Sequence, residues 1–523
     1  MRGTVRLFGV GAIAVIAATA GMTTTPSWAG QPSTARSVVD LRPAGQQGLD
    51  ARQVPGSIAY LRRTYGVSEA EALRRLRLQM TAQGLAGTLR QRVPAAYAGM
   101  WLDQAGGGRL VIEAKVPAMV ATALGAVADR SHIVVRPVAR SLDELDATRA
   151  RVAAQLGDGP DSLLLPRVDE TTNQVVVWKR DWLIAAGGAA ATTAHPAAVA
   201  DTGGQLPRPF TAPAAAALER VVAASAGAVV VRSMPRPHPL TTAADFNQCF
   251  PLYCTGYGAM RGGIRLDIPR DDATVGGCTA GFNIRATEGT YAGQPFVLTG
   301  GHCVNSGRHT HLDTAYHQGA PVLREIPALA VNNFPFDYAL MPYTDTATAQ
   351  TWLDGTPEHN LVLAWCRNGG FDSDVNTRCV DGDANDDGRV HITNLQPVAD
   401  VHVGAVVCAT GAGASSVDYT DAVDSGPGAG YRPGTRCGIV TGQSNGAIDT
   451  DLCARAGDSG GPLFSEVTHS AIGILEGNTQ NRSGPCQDGE SNNYIPVSTI
   501  LGAVNGQPPA AGSTFQVITT AKG

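Results

Sequence analysis

Lysine is almost missing from this 523-residue chain: only Lys115, Lys179 and Lys522 occur, so nearly all positive charge is arginine. That scarcity fits genome composition, and no function is read from it. Cysteine is absent from the first 248 residues, which excludes a disulfide framework there. The N-terminal half must therefore fold by its core alone or with help from its neighbour. A strong charge of either sign is also lacking. The net charge of −5 argues against a general nucleic-acid binder. Beyond residue 20 no segment is apolar enough to cross a bilayer.

What is present begins with an export pattern. Met1 to Arg6 is positive, Leu7 to Ala20 is apolar without a charge, and Ser27-Trp28-Ala29 precedes an expected cut after Ala29. The run is too short for a membrane span, so residues 1–29 read as a secretory signal peptide. The expected product is extracellular, with no membrane attachment after cleavage. All ten cysteines lie between Cys249 and Cys486. An even number in an exported chain reads as a disulfide framework in the C-terminal half. The length implies two or more domains.

The two halves differ in pattern. In the first, Ser68-Glu69-Ala70-Glu71 and Ser141-Leu142-Asp143-Glu144 have capping-box spacing and each opens a helical apolar repeat. Tyr97 to Leu102 and Arg109 to Ala114 read as a hairpin, and His132 to Val138 and Gln174 to Lys179 as strands. An Ala/Pro-rich stretch from about Ala186 to Ala216 reads as a linker, with a short helix expected at Ala214 to Ala224. In the second half, short β-branched runs recur between Gly, Asn and Asp clusters: Ala280 to Arg285, Phe296 to Thr299, Ala405 to Cys408, Gly438 to Thr441 and Ala471 to Leu475. This spacing predicts an all-β sandwich or barrel. Only Val497 to Val504 reads as helix.

Chemistry concentrates in Ala456-Gly457-Asp458-Ser459-Gly460-Gly461-Pro462 and in Thr299-Gly300-Gly301-His302-Cys303. A serine hydroxyl needs an imidazole base within hydrogen-bond reach and backbone N–H groups aimed at the developing oxyanion. The two motifs supply the candidate parts. Alone, the first would also suit a glycine-rich turn between strands.

Six blocks in order carry a family resemblance: Arg261-Gly262-Gly263, Cys278 to Phe282, Val297 to Cys303, Phe336-Asp337-Tyr338-Ala339-Leu340, Val403 to Cys408, and Cys453 to Pro462. The region from about Arg261 to Val504 resembles the bacterial serine proteases of the streptogrisin and α-lytic protease group. The cysteine-free region is similar to their pro-regions, through Gly66 to Glu71 and Ala98-Gly99-Met100-Trp101. The resemblance implies a double six-stranded β-barrel with a C-terminal helix over residues 241–523, preceded by an α/β pro-region over 30–240 that includes the linker. It implies a secreted serine endopeptidase made as a zymogen. Ser459 would be nucleophile, His302 base and Asp337 the orienting carboxylate, with the N–H groups of Gly457 and Ser459 as oxyanion hole. Asp313 also follows the histidine, but Asp337 leads an apolar strand-like run and is preferred.

The resemblance further implies disulfides Cys278–Cys303, Cys408–Cys437 and Cys453–Cys486. The remaining four cysteines are paired locally as Cys249–Cys254 and Cys366–Cys379, with a metal site as alternative. The pocket walls would be Ala454, Arg455, Ala456, Leu475, Glu476, Gly477, Asn478 and Tyr494. Cys453 stands six residues before Ser459, so a carboxylate is missing from that position and an apolar or mixed pocket is expected. The expected partners are protein or peptide substrates and the chain's own pro-region, as chaperone and inhibitor, in a monomer with no nucleic acid.

Three departures stand out. Glu476 replaces a serine that usually supports the catalytic aspartate, and is expected either to turn into the pocket, favouring a cationic substrate side chain, or to turn to solvent. Ala409 replaces the arginine that usually pairs the residue matched by Asp458. A buried carboxylate needs a partner, and Arg432 or Arg436 is expected. Glu476 and Ala409 keep open a second function, a catalytically impaired binding protein. Third, Asp383, Asn385 and Asp387 occupy positions one, three and five of a calcium-type loop, but Asn394 stands at position twelve, and a plain Asp/Asn/Gly turn is the competing reading. No cofactor other than that calcium is expected. His309, His311 and His317 read as solvated loop residues rather than metal ligands, and Asn481-Arg482-Ser483 as a chance glycosylation match.

Overall fold

Capping decides where the first helices start. Ser68 Oγ accepts the Glu71 N–H at 3.2 Å and opens the helix Glu69–Arg92, and Ser141 with Glu144 forms a complete capping box on Leu142–Leu156. The computed structural model describes residues 48–125, 127–159, 161–184, 209–236, 238–239, 242–243, 260–271, 274–304, 314–317, 319–353, 360–363, 389–413, 434–443, 445–480, 486–505 and 512–519. They fall in one compact unit. The expected leader, Cys249, Cys254, Cys366, Cys379, His309, His311, Asp313, Arg432, the loop of Asp383, Asn385 and Asp387, and Asn481 lie outside the described residues.

The N-terminal half carries two small sheets with helices packed on them. Tyr97–Asp103 and Arg109–Ala114 form the expected hairpin, extended in parallel by Ile133–Pro137. Leu164–Asp169 and Gln174–Lys179 form a second antiparallel pair, extended in parallel by Val229–Ser233. The helix Ala212–Ala223 starts inside the stretch expected as linker, capped by Thr211. Each small sheet is too thin to bury both faces alone.

The C-terminal half holds two β units. In the second, Ser470–Asn478, Pro462–Ser465, Val406–Gly411, Gly434–Gly442, Ile448–Thr450 and Asn492–Pro496 pair in that spatial order. The last pairs back with the first, closing a six-stranded barrel. The first unit departs from the expected closed six: among the described residues its strands form two five-stranded sheets, with a three-stranded one beside them. The reason is a corner at Ala280–Phe282. There the backbone leaves one sheet, bonding to Ile264 and then to Leu298. The run Ala280 to Arg285 is therefore a bend followed by the strand Asn283–Glu288, not one strand. The helix Val497–Val504 forms as expected, and the strand Thr514–Val517 beyond it pairs with Asn283–Glu288.

The cysteine-free half does borrow core from its neighbour. Leu78, Leu85 and Leu89 of Glu69–Arg92 share one buried cluster with Val407, Val440, Leu463 and Leu475 of the closed barrel. Each such side chain contributes roughly 1.5–3 kcal/mol when fully buried. Polar contacts fix the register. The Gln79 amide donates to the Val406 carbonyl at 2.9 Å and accepts the Val406 N–H at 2.7 Å, doing for that strand what a neighbouring strand would. The Leu102 N–H donates to the Val403 carbonyl at 2.8 Å. Beside it Gly404 has φ 80°, and a Cβ there would stand 1.8 Å from the Leu102 oxygen, so only glycine admits this contact. Finally Glu466 accepts the N–H groups of Gly56 and Ser57, at 3.1 and 2.8 Å, capping the helix Pro55–Tyr65 from the barrel. Burial pushes the Glu466 carboxyl up, against those hydrogen bonds.

Candidate active site

Two adjacent strands deliver the histidine and the aspartate. Pro295–Thr299 runs antiparallel to Phe336–Pro342 with Thr299 opposite Ala339. The turn Gly301–Cys303 that leaves the first strand therefore meets Asp337 at the start of the second. His302 Nδ1 lies 2.5 Å from Asp337 Oδ2, and Asp337 Oδ1 accepts the His302 backbone N–H at 2.8 Å. Both side chains are buried. Asp337 thus holds ring and backbone together, while the Cys278–Cys303 disulfide pins the turn from the other side. His302 Nε2 makes no hydrogen bond among the described residues.

Ser459 comes from the closed barrel. The Gly460 N–H donates to the Leu475 carbonyl at 2.8 Å, and the Leu475 N–H to the Gly461 carbonyl at 2.9 Å. The Ser459 carbonyl accepts the Thr279 N–H at 2.7 Å. Gly460 is packed so closely on the histidine strand that a Cβ would stand 2.1 Å from Thr299 Oγ1. This close approach brings the serine loop against the segment that carries His302. Gly457 takes a left-handed φ of 102°, and its carbonyl accepts Thr279 Oγ1–H at 2.7 Å. The carbonyl is thereby tied away on the first β unit.

Asp458 is held by donors from several segments. Its carboxylate accepts the Gly413 N–H at 2.9 Å, the Arg455 N–H at 2.9 Å and Arg436 Nη2 at 3.0 Å. Arg436 is one of the two arginines expected for this role, and it projects from the strand position paired with Ala409. Cys408–Cys437 and Cys453–Cys486 are bonded as expected.

The residues expected to form the pocket walls lie on three segments around the serine loop. Ala454 and Arg455 are buried before the serine loop, with Ala456 half-buried beside them. Leu475, Glu476, Gly477 and Asn478 follow on the strand beside it, and Leu475 is paired with Tyr494. Glu476 does not turn to solvent. It is 4% exposed and its Oε2 makes no hydrogen bond. Burial first, then the charge of Asp337, holds its carboxyl well above the usual range, while the Arg236 guanidinium pulls the other way. His317 also departs from expectation. It is buried on a strand with Nδ1 donating to the Arg265 carbonyl at 2.8 Å, and burial lowers its pKa.

Sequence reasoning missed Glu490. Arg455 Nη1 reaches Glu490 Oε2 at 2.8 Å and Nη2 reaches Oε1 at 2.6 Å, with both side chains buried. Glu490 follows Cys486 by four residues, and that disulfide spacing was the one available signal for its position. Arg236 was missed for want of any local pattern.

No family model matches the chain. It is similar to streptogrisin-D of Streptomyces griseus, 32% identical over 228 residues that cover 43% of this chain and 43% of that protein. Streptogrisin-C of the same organism is 25% identical over 457 residues, 86% of this chain and 73% of that protein. The chain thus spans less than half the length of the first relative and about three quarters of the second. Thermobifida fusca protease A is a structural neighbour with 19% identity and a TM-score of 0.28, covering 50% of this chain and 100% of that one. No helix among the described residues is long and apolar enough to cross a membrane. The chain is thus similar to the streptogrisins, and its C-terminal half holds a closed six-stranded β-barrel beside a second, open β unit.

Proposed function

We propose that this chain is a secreted serine endopeptidase made as a zymogen. The observation that carries the reading is the buried His302–Asp337 pair set against the Gly457-Asp458-Ser459 loop. Ser459 Oγ attacks the substrate carbonyl while His302 Nε2 takes its proton, forming a tetrahedral oxyanion that the Gly457 and Ser459 N–H groups stabilise. Collapse breaks the C–N bond, the leaving amine takes the proton from His302, and an acyl-Ser459 ester remains. Water, deprotonated by His302, then hydrolyses the ester. Asp337 fixes the imidazole tautomer throughout.

An organophosphonate should label Ser459 stoichiometrically, and Ser459→Ala should lose both label and peptide cleavage. An unlabelled, inactive wild type would favour the impaired binding protein instead. Of the two features behind that alternative, Ala409 is compensated by Arg436, leaving Glu476 alone in its support.

The zymogen reading draws on the chain's own path. His238–Pro239 pairs antiparallel with Gly477 and Asn478, adding a short strand to the pocket wall. Thr242–Ala243 pairs with Gly276 and Gly277 on the first β unit. Residues 30–240 are proposed as the pro-region, cut off after export, with the mature enzyme beginning between about Pro237 and Arg261. N-terminal sequencing of mature enzyme should find a start between about Pro237 and Arg261. A full-length Ser459→Ala chain should stay uncut, and spontaneous cleavage of it, or a different start, contradicts the assignment.

A further inference from the structure

Arg455 and Glu490 form the most complete charge pair near the site, and the triad chemistry does not use it. Arg455 belongs to the segment running directly into Gly457, whereas Glu490 precedes the strand Asn492–Pro496, whose Tyr494 pairs with Leu475. The pair therefore joins the two segments that flank the pocket strand Leu475–Asn478. The Cys453–Cys486 disulfide joins the same two segments covalently.

Both charges are satisfied. Besides the two contacts to Glu490, Arg455 Nη1 donates to the Ala454 carbonyl at 2.6 Å. Glu490 Oε1 also accepts the Gln487 N–H at 2.9 Å. The two side chains are 4% and 1% exposed. A buried ion pair is weak evidence for stability, since desolvation offsets much of its attraction. Its effect on what enters a neighbouring space is larger. Paired, the groups present no net charge and offer an incoming side chain neither an ammonium partner nor a carboxylate partner.

We infer that the Arg455–Glu490 pair is the charge-neutral closure of the pocket for the residue preceding the cleaved bond, and restricts that residue to uncharged side chains. This rests on the endopeptidase reading above. The carboxylate that seemed missing at Cys453 is thus present as Glu490, but cancelled. Removing either partner unmasks the charge of the other: without Arg455 the carboxylate of Glu490 loses its ion-pair partner, and without Glu490 the net positive charge of Arg455 is no longer cancelled by it. A substrate side chain of opposite charge would then supply the lost partner.

The test is kcat/KM of the processed enzyme on peptides that differ only in that residue, as Leu, Phe, Lys, Arg or Glu, with phosphonate labelling to count active sites. Wild type should favour Leu or Phe over the charged residues. Arg455→Gln should raise Lys and Arg relative to Leu by about tenfold or more, and Glu490→Gln should raise Glu, on the scale expected when a buried charge finds or loses its partner. The swapped pair Arg455→Glu with Glu490→Arg should restore the neutral preference. A wild type that favours a charged residue, or labelled variants with unchanged preference, would overturn the inference. If a single variant does not fold, the swapped pair decides: a neutral preference supports the proposal and a charged one defeats it. A wild type that takes no label sinks the endopeptidase reading instead.

Discussion

Arg436 stands directly across the strand pair from Ala409 and sends its guanidinium to Asp458 at 3.0 Å. The cation expected at one strand position is supplied by its paired neighbour. Asp458 keeps its partner while the sequence position moves.

Removal of that cation should be costly. Arg436→Ala leaves a buried carboxylate beside Ser459, a loss of about 3–5 kcal/mol when one member of a buried pair is deleted. Thermal melting should fall accordingly and turnover should drop with it. Ala409→Arg in the same chain should recover part of both. Wild-type melting and turnover in Arg436→Ala would show that Asp458 does not depend on it.

Asp337→Asn should keep the fold but lower kcat by about 10⁴, the effect of a wrong histidine tautomer in such triads. Steady-state kinetics on a neutral peptide, with KM nearly unchanged, checks the assignment. A loss below tenfold would shift the orienting role elsewhere.

Glu476 gives a pH signature. Its folded carboxyl lies well above the ordinary 4.5, because burial and Asp337 disfavour the charged form. A raised carboxyl contributes stability that is complete below the unfolded pKa and is lost as pH rises through the folded one. Glu476→Gln should therefore melt higher than wild type at neutral pH, and the gap should close in acid. Melting curves from pH 4 to 8, in a Ser459→Ala background to prevent self-cleavage, measure this; a gap that widens in acid would reverse the sign.

Glu466→Ala should weaken the hold of the helix Pro55–Tyr65 on the barrel. Losing a helix cap typically costs about 0.5–2 kcal/mol. Calorimetry of the uncut Ser459→Ala chain should show a lower first transition, whereas Glu466→Gln, which keeps an acceptor oxygen, should lose less.

The site was legible where function is written in contiguous residues. The serine motif, the histidine turn and the strand led by Asp337 each carry local chemistry, and three disulfides are those the family resemblance implied. Glu490 was hidden because a glutamate in a polar Gly/Asp/Ser stretch gives no sign of burial. Glu476 was placed correctly on its strand, but its burial depends on Asp337 and Arg236, both remote in sequence. In the fold, capping and period fixed the helices, whereas the Ala280–Phe282 corner was read as strand because its apolar residues face two sheets in succession.

The shared core of Leu78, Leu85 and Leu89 with Val407 and Leu475 has a temporal consequence. Hydrolysis of one peptide bond removes none of that apolar contact. Two clocks should therefore run during maturation: a fast one for the appearance of the new amino terminus, and a slow one for proteolytic activity. The interval between them measures how long the severed halves remain a single particle.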